Sequence, residues 1–286
     1  MFGNGRSTRR GQRETSHLTV LLLYNIYSQL EQLPIKPPVT ICLLFLNIWP
    51  YFFDVNILGY GLSNIRQNCI LPSAIMTSLI DGTGILFNRL ILAGFIHVDE
   101  SHLYYNMMSL CWKGINLELK MGSAAFLQLI IFSLIVSHSL LVISAYFLYI
   151  YTEFTSSYHS CAVGFSAVLF SLKYVWNHSA GNSSNIMGIN VPTKYAAWLE
   201  LLLVSILHPD ASFIGHLCGI LSGVIYIHGG LLLKNYRYGF SSSTTGRRVG
   251  GHELWICYMN FQKCVKFIWL TFFWYHGFQL KYLYIR

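Results

Sequence analysis

An all-α membrane protein, a six-transmembrane-helix bundle with a partly membrane-embedded loop after its first helix, is the fold class that this sequence predicts. Three observations carry it. Of 286 residues, 54% are hydrophobic, 16% aromatic and only 10% charged, too little polar surface for a soluble globule of this length. Apolar runs long enough to enter hydrocarbon recur along the chain. Lysine and arginine are also unevenly shared between alternate connections, as the positive-inside rule requires.

The elements follow in order. Residues 1–37 read as a basic cytosolic segment with Arg6, Arg9, Arg10 and Arg13, followed by a short apolar stretch at 18–30. Pro34, Pro37 and Pro38 cut that stretch from the next run, so it is expected to be an interfacial or half-buried helix rather than a span. It lacks a small-residue cleavage site, so no cleavable signal peptide is expected. Spans are predicted at 39–53, 102–119, 124–150, 161–176, 195–207 and 212–233, within a domain covering 38–233. Several are nearer 15 than 20 residues, which implies tilt, burial away from lipid or a thinned bilayer. The connection at 54–100 is too long for an idle turn and carries apolar patches, so it is expected to pack partly into the membrane surface. Residues 234–286 read as a cytosolic tail, Gly/Ser/Thr-rich and then aromatic, with Lys263 and Lys266 favouring surface association over a seventh span.

With both termini cytosolic, thirteen of the 19 lysines and arginines, Lys113 and Lys173 among them, fall on or near the cytosolic side outside the aromatic tail, and only Arg66 and Arg89 fall opposite. The formal charge of +8 therefore reads as topogenic, and no nucleic-acid partner is expected, since no single basic, aromatic-laced patch exists. The sequons at Asn177 and Asn182 would lie in a cytosolic loop and escape glycosylation. Seven cysteines without paired spacing read as small apolar core residues.

Polar side chains inside spanning helices are costly and mark either function or a satisfied interhelical hydrogen bond. His102 and Asn106 lie four residues apart, on one helix face. Ser166 opens the fourth span within Gly164-Phe165-Ser166-Ala167, and His216 opens the sixth within Gly215-His216-Leu217-Cys218-Gly219. The predicted topology puts all these helix starts on the non-cytosolic side, at one depth. An imidazole that takes the proton of a serine hydroxyl makes a nucleophile, and donors are then needed for the oxyanion. Ser166 and His216 fit the first role; His102, Asn106 and the Ser166 N–H, with Gly164 beside them, fit the second. No acid stands obviously behind His216, and Asp210 reads as a solvated loop residue, so a dyad is expected. Gly215, Gly219 and Gly223 recur every four residues and should let the sixth span approach the small face of the fourth at Gly164, Ala167 and Ser171. Phe170, one turn below Ser166, is expected to floor the site.

Other readings stand beside these. A serine in a membrane helix commonly bonds its own backbone one turn back, and His102 with Asn106 can be an interhelical hydrogen-bond pair. Glu200 has no partner near it in sequence and reads as a neutral or hydrogen-bonded structural residue. His97 and His138 are ambiguous in the same way.

The segments Pro38-Val39-Thr40, His97-Val98-Asp99-Glu100-Ser101-His102 through Asn106, Leu117-Glu118-Leu119-Lys120-Met121-Gly122-Ser123, Gly164-Phe165-Ser166 and Gly215-His216 occur in an order that resembles the rhomboid intramembrane serine proteases. The resemblance covers about residues 38–233. It implies six helices around a water-filled cavity, with Ser166 as nucleophile, His216 as general base, and His102 and Asn106 at the oxyanion. It also implies cleavage of transmembrane or membrane-anchored substrates without metal or cofactor. Some segments are most similar to an endoplasmic-reticulum branch that turns over unstable membrane proteins. The chain departs from the family's pattern at Ala167, where glycine usually follows the serine, and at Phe87-Asn88-Arg89, which only partly matches a Trp-Arg pattern. The ubiquitin- and segregase-binding motifs of that branch are not seen in the tail, so those partners are not expected. The alternative function is that of a catalytically inactive rhomboid-like protein that binds membrane clients. A transporter would call for an internal repeat, and none is seen.

Overall fold

The structure is a computed structural model, and it describes residues 17–53, 56–57, 60–61, 64–81, 87–179, 183–186, 189–208 and 211–229. Within them the chain is mostly helical, with two short antiparallel hairpins, β1 (Asn56–Ile57) with β2 (Tyr60–Gly61) and β3 (Ser183–Ile186) with β4 (Ile189–Pro192). The basic N-terminal arginines, Asn182, Asp210 and the aromatic tail lie outside the described residues.

Helix α1 (His17–Glu31) covers the stretch read as an interfacial or half-buried helix, and it buries Thr19, Leu22 and Ile26, packing on α6 (Glu100–Met121). The Thr19 hydroxyl donates to Glu100, and Asn25 Nδ2 donates to Tyr104 Oη at 3.3 Å. Helix α2 (Pro38–Phe52) starts on Pro38, whose missing N–H costs nothing in a first turn. Its remaining first-turn donors are met from α6: Glu118 accepts from the N–H of Val39 at 2.9 Å and from both the N–H and hydroxyl of Thr40 at 2.7 Å. A carboxylate there also complements the positive end of the helix dipole.

The long connection folds as α3 (Ile65–Asn68), α4 (Pro72–Ile80), α5 (Phe87–Leu92) and a 3₁₀ turn (Ala93–Phe95), with α4 and α5 packed on α7 (Ser123–Tyr151). Arg89 holds this loop together by donating from Nη1 to the carbonyls of Arg66 and Cys69, each at 3.1 Å. Helix α7 is 29 residues long, about 43 Å at 1.5 Å per residue. Among the described helices it is the one both long and apolar enough to cross a membrane by length and composition; α2 and α11 (Phe213–His228) are shorter apolar helices.

After the single turn α8 (Ser156–His159), the chain runs extended and enters α9 (Ser166–Ser179), followed by the second hairpin and α10 (Thr193–Leu207). The span expected at 161–176 thus begins five residues late. Ala162 pairs with Ile70 in an isolated antiparallel bridge, and Gly164 takes a φ of +113°, which breaks the helix before Ser166. At 14 residues α9 is about 21 Å long, short of the ~30 Å of a bilayer core.

Two sequence readings are corrected here. Cys69 and Cys161 are not inert core residues but form a disulfide across 92 residues, whereas Cys42, Cys111 and Cys218 are free. Glu200, read as neutral or hydrogen-bonded, is hydrogen-bonded, with partners not foreseen: its two oxygens receive Lys113 Nζ at 2.9 Å and Lys173 Nζ at 3.1 Å. Lys113 and Lys173, counted as topogenic charges, are 4% and 7% exposed. The one carboxylate ties α6, α9 and α10 together, because a buried ammonium requires a charged partner.

Candidate active site

Among the described helices α9 and α11 share the most extensive contact, for a reason visible in their small residues. A Cβ on Gly219 would stand 2.2 Å from the Ala167 carbonyl oxygen, and one on Gly223 would stand 2.9 Å from that of Ser171. Nothing larger than glycine fits at Gly219 without parting the backbones. Gly215 differs: its added Cβ would meet only the Ser212 side chain of its own segment, at 3.2 Å, so it is not part of the helix contact.

That approach brings together the two residues on which the sequence reading centred. His216 Nε2 lies 3.0 Å from Ser166 Oγ. With Nε2 unprotonated, the hydroxyl donates to the ring, the geometry a general base needs. Ser166 does not bond its own helix one turn back; as the first residue of α9 it has no such turn. The Phe170 ring lies 4.6 Å from that of His216, centroid to centroid, fixing the imidazole from below. His216 Nδ1 has no hydrogen-bond partner among the described residues.

The opposite wall comes from α6. Asp99 caps this helix, its carboxylate accepting from the His102 N–H at 2.8 Å and the Ser101 hydroxyl at 2.5 Å. Burial alone would raise the Asp99 pKa, but these hydrogen bonds and the His102 ring outweigh it and hold the carboxyl below its usual value. The His102 ring lies against Gly164, where an added Cβ would come within 2.7 Å of Cε1 and Nε2. His102 therefore faces the turn that leads into Ser166.

Asn106 is less committed than expected. Its Nδ2 donates to the His102 carbonyl on its own helix at 2.8 Å, and its Oδ1 has no partner among the described residues. Among the described residues Asn106 bonds neither another helix nor Ser166. His97, 2% exposed, sits edge-on to His102 with ring centroids 5.1 Å apart. Burial, with the His102 ring beside it, pushes its pKa down to about 3, so it packs as a neutral ring. His138 Nδ1 meets the Leu90 carbonyl at 2.5 Å and secures the loop rather than the site. No His/Cys/Asp/Glu cluster suited to a metal exists among the described residues.

Comparison with known proteins adds the family. The Rhomboid domain family matches residues 86–232. The chain is 40% identical over 79% of its length to "Rhomboid-like protein 14, mitochondrial" of Arabidopsis thaliana and 36% identical over 72% to "Rhomboid-related protein 4" of Homo sapiens. It is 34% identical over 59% to "Rhomboid-like protein 15" of Arabidopsis thaliana. It spans 64%, 62% and 41% of those relatives' own lengths. With the Ser166–His216 pair, the glycine contact between α9 and α11 and the matched segment all lying in one stretch of sequence, the chain belongs to the rhomboid family of membrane proteins.

Proposed function

We propose that the chain is an intramembrane serine endopeptidase whose nucleophile is Ser166 and whose general base is His216. The observation that carries this reading is the 3.0 Å contact between His216 Nε2 and Ser166 Oγ, formed between two helix starts and faced by His102 across Gly164. His216 Nε2 takes the hydroxyl proton as Ser166 Oγ bonds to the scissile carbonyl carbon. The oxygen of that carbonyl becomes an oxyanion, for which the His102 ring, the Asn106 amide and the Ser166 N–H are the available donors. Protonated His216 then gives its proton to the leaving amine, and a water activated by the same imidazole releases the acyl group. For the Asn106 amide to join, it must leave the His102 carbonyl, a modest exchange of one hydrogen bond for a charge-assisted one.

The same reading places α2, α6, α7, α9, α10 and α11 as six spans with both termini cytosolic. The starts of α6, α9 and α11 then gather at the non-cytosolic side. The Cys69–Cys161 disulfide falls on that side, which supports an oxidising lumen such as that of the endoplasmic reticulum. Substrates are transmembrane or membrane-anchored proteins, including unstable ones, whose helix unwinds near that surface. Ala167 supports a second reading, a rhomboid-like protein that binds membrane clients without cutting them: its methyl stands directly after the serine where glycine is usual.

The test is cleavage of a reporter carrying one transmembrane helix by purified wild type, Ser166→Ala and His216→Ala. Cleavage by wild type alone is expected, with loss of serine-directed labelling in both variants. Equal cleavage by all three, or none by wild type, overturns the peptidase reading; client capture without cleavage supports the second.

A further inference from the structure

We propose that the Cys69–Cys161 disulfide is a positioning element for the nucleophile, holding the strand that delivers Ser166 against the loop after α2; this rests on the peptidase reading above. Ser166 is the first residue of α9, so no helical turn precedes it to fix its backbone. Its placement depends on residues 160–165, which run extended to Val163 and turn at Gly164 and Phe165. The Phe165 ring is buried in the core, and the backbone has anchors of its own. Ile70 and Ala162 exchange two backbone hydrogen bonds of 2.9 Å, and the Gly164 N–H donates to the Ala93 carbonyl at 2.9 Å. All these anchors belong to the 54–100 connection, and Cys161, five residues before Ser166, is bonded covalently to it.

Hydrogen bonds alone make a weak anchor here. A single bridge is the smallest unit of sheet and is marginal by itself. Ala162 is only half-buried and Cys161 is exposed, so water competes for the same groups. The disulfide removes that freedom of register. Cys69 is in turn fixed, being 1% exposed with its carbonyl held by Arg89. The consequence reaches the chemistry through Gly164, which touches the His102 ring: a slipped strand moves His102 and the Ser166 N–H apart. Misplacement of reacting groups by about 1 Å costs up to a hundredfold in rate. The loss falls on kcat, because what is lost is alignment in the transition state rather than substrate binding.

The experiment uses the full chain in liposomes. Non-reducing peptide mapping is expected to recover the Cys69 and Cys161 peptides linked; finding both as thiols overturns the proposal. Hydrogen exchange at Ala162 and Gly164 is then compared between wild type, Cys69→Ala/Cys161→Ala and wild type treated with a phosphine. In that treatment the S–S bond takes two electrons and two protons to give two thiols, while the phosphine takes the oxygen of one water. Both altered forms are expected to exchange faster at these two amides, with α7 unchanged as the check that the fold persists. A strand that stays protected overturns the proposal, as does faster exchange throughout α7. With the reporter, kcat is expected to fall by about tenfold or more and KM to stay within about twofold. The double variant should be indifferent to phosphine. Unchanged kcat, or a change confined to KM, overturns the positioning role. If wild type cleaves nothing, the peptidase reading fails by itself, and the exchange comparison still decides whether the bond anchors the strand.

Discussion

The Ala167 carbonyl oxygen and Gly219 stand so close that a β-carbon on the glycine would lie 2.2 Å from that oxygen. The distance sets the separation of α9 from α11, and hence whether His216 reaches Ser166. Gly219→Ala is expected to push the helices apart, destabilising the fold by about 1–3 kcal/mol as overpacking does. Serine labelling should fall by tenfold or more, roughly the effect of a ~1 Å misplacement. Gly215→Ala is the comparison, since its methyl meets only Ser212; denaturant unfolding and labelling of the two variants side by side check the difference.

Glu200 is shared by Lys113 and Lys173, so Glu200→Gln leaves two buried ammonium groups against a neutral amide. A loss of about 3–5 kcal/mol is expected, the range for breaking a buried ion pair. Replacing all three with methionine should recover most of it, because the desolvation cost goes with the charges. Unfolding in graded denaturant measures both; a Glu200→Gln protein as stable as wild type would contradict the pairing.

Glu118 gathers three donors at the start of α2. Glu118→Ala is expected to cost about 2–3 kcal/mol, and Thr40→Ala, which removes one of the three, about 1 kcal/mol. Hydrogen exchange at Val39 and Thr40 should rise in the first variant, with little change in α9.

Asp99 caps α6 with its ionised carboxylate, and its pKa lies below the usual aspartate value in the folded chain. The sign follows: the stabilisation is complete above the ordinary aspartate pKa and disappears as pH falls through the lowered folded value. Asp99→Asn keeps a good cap and should flatten that acid-side loss, whereas Asp99→Ala should lose about 1 kcal/mol at neutral pH. Unfolding midpoints between about pH 3 and 7 check it.

The sequence reading reached Ser166, His216, Phe170, Gly219 and Gly223 because each sits at a helix start or at helical spacing, where local pattern carries the information. It did not reach the Cys69–Cys161 bond, whose partners are 92 residues apart in unrelated segments. It missed the Glu200 pairs for the same reason, Lys113 being 87 residues away and on another helix. Counting Lys113 and Lys173 as topogenic charges near the cytosolic side followed from their sequence positions, but only packing reveals that they are buried. The late start of α9 was hidden because Cys161, Ala162 and Val163 are as apolar as a helix interior. Asn106 was read from spacing, depth and resemblance, none of which fixes a side-chain rotamer, and its amide turns to the His102 carbonyl of its own helix.

The Lys113–Glu200–Lys173 cluster has a temporal side as well. During synthesis both lysines emerge before the carboxylate that neutralises them, Lys113 by 87 residues. Until α10 arrives, the nascent chain carries two unmatched cations on α6 and α9. The charge cluster is therefore completed only once residue 200 has been made. A chain that stops before residue 200 keeps both lysines without the carboxylate that pairs them in the folded protein.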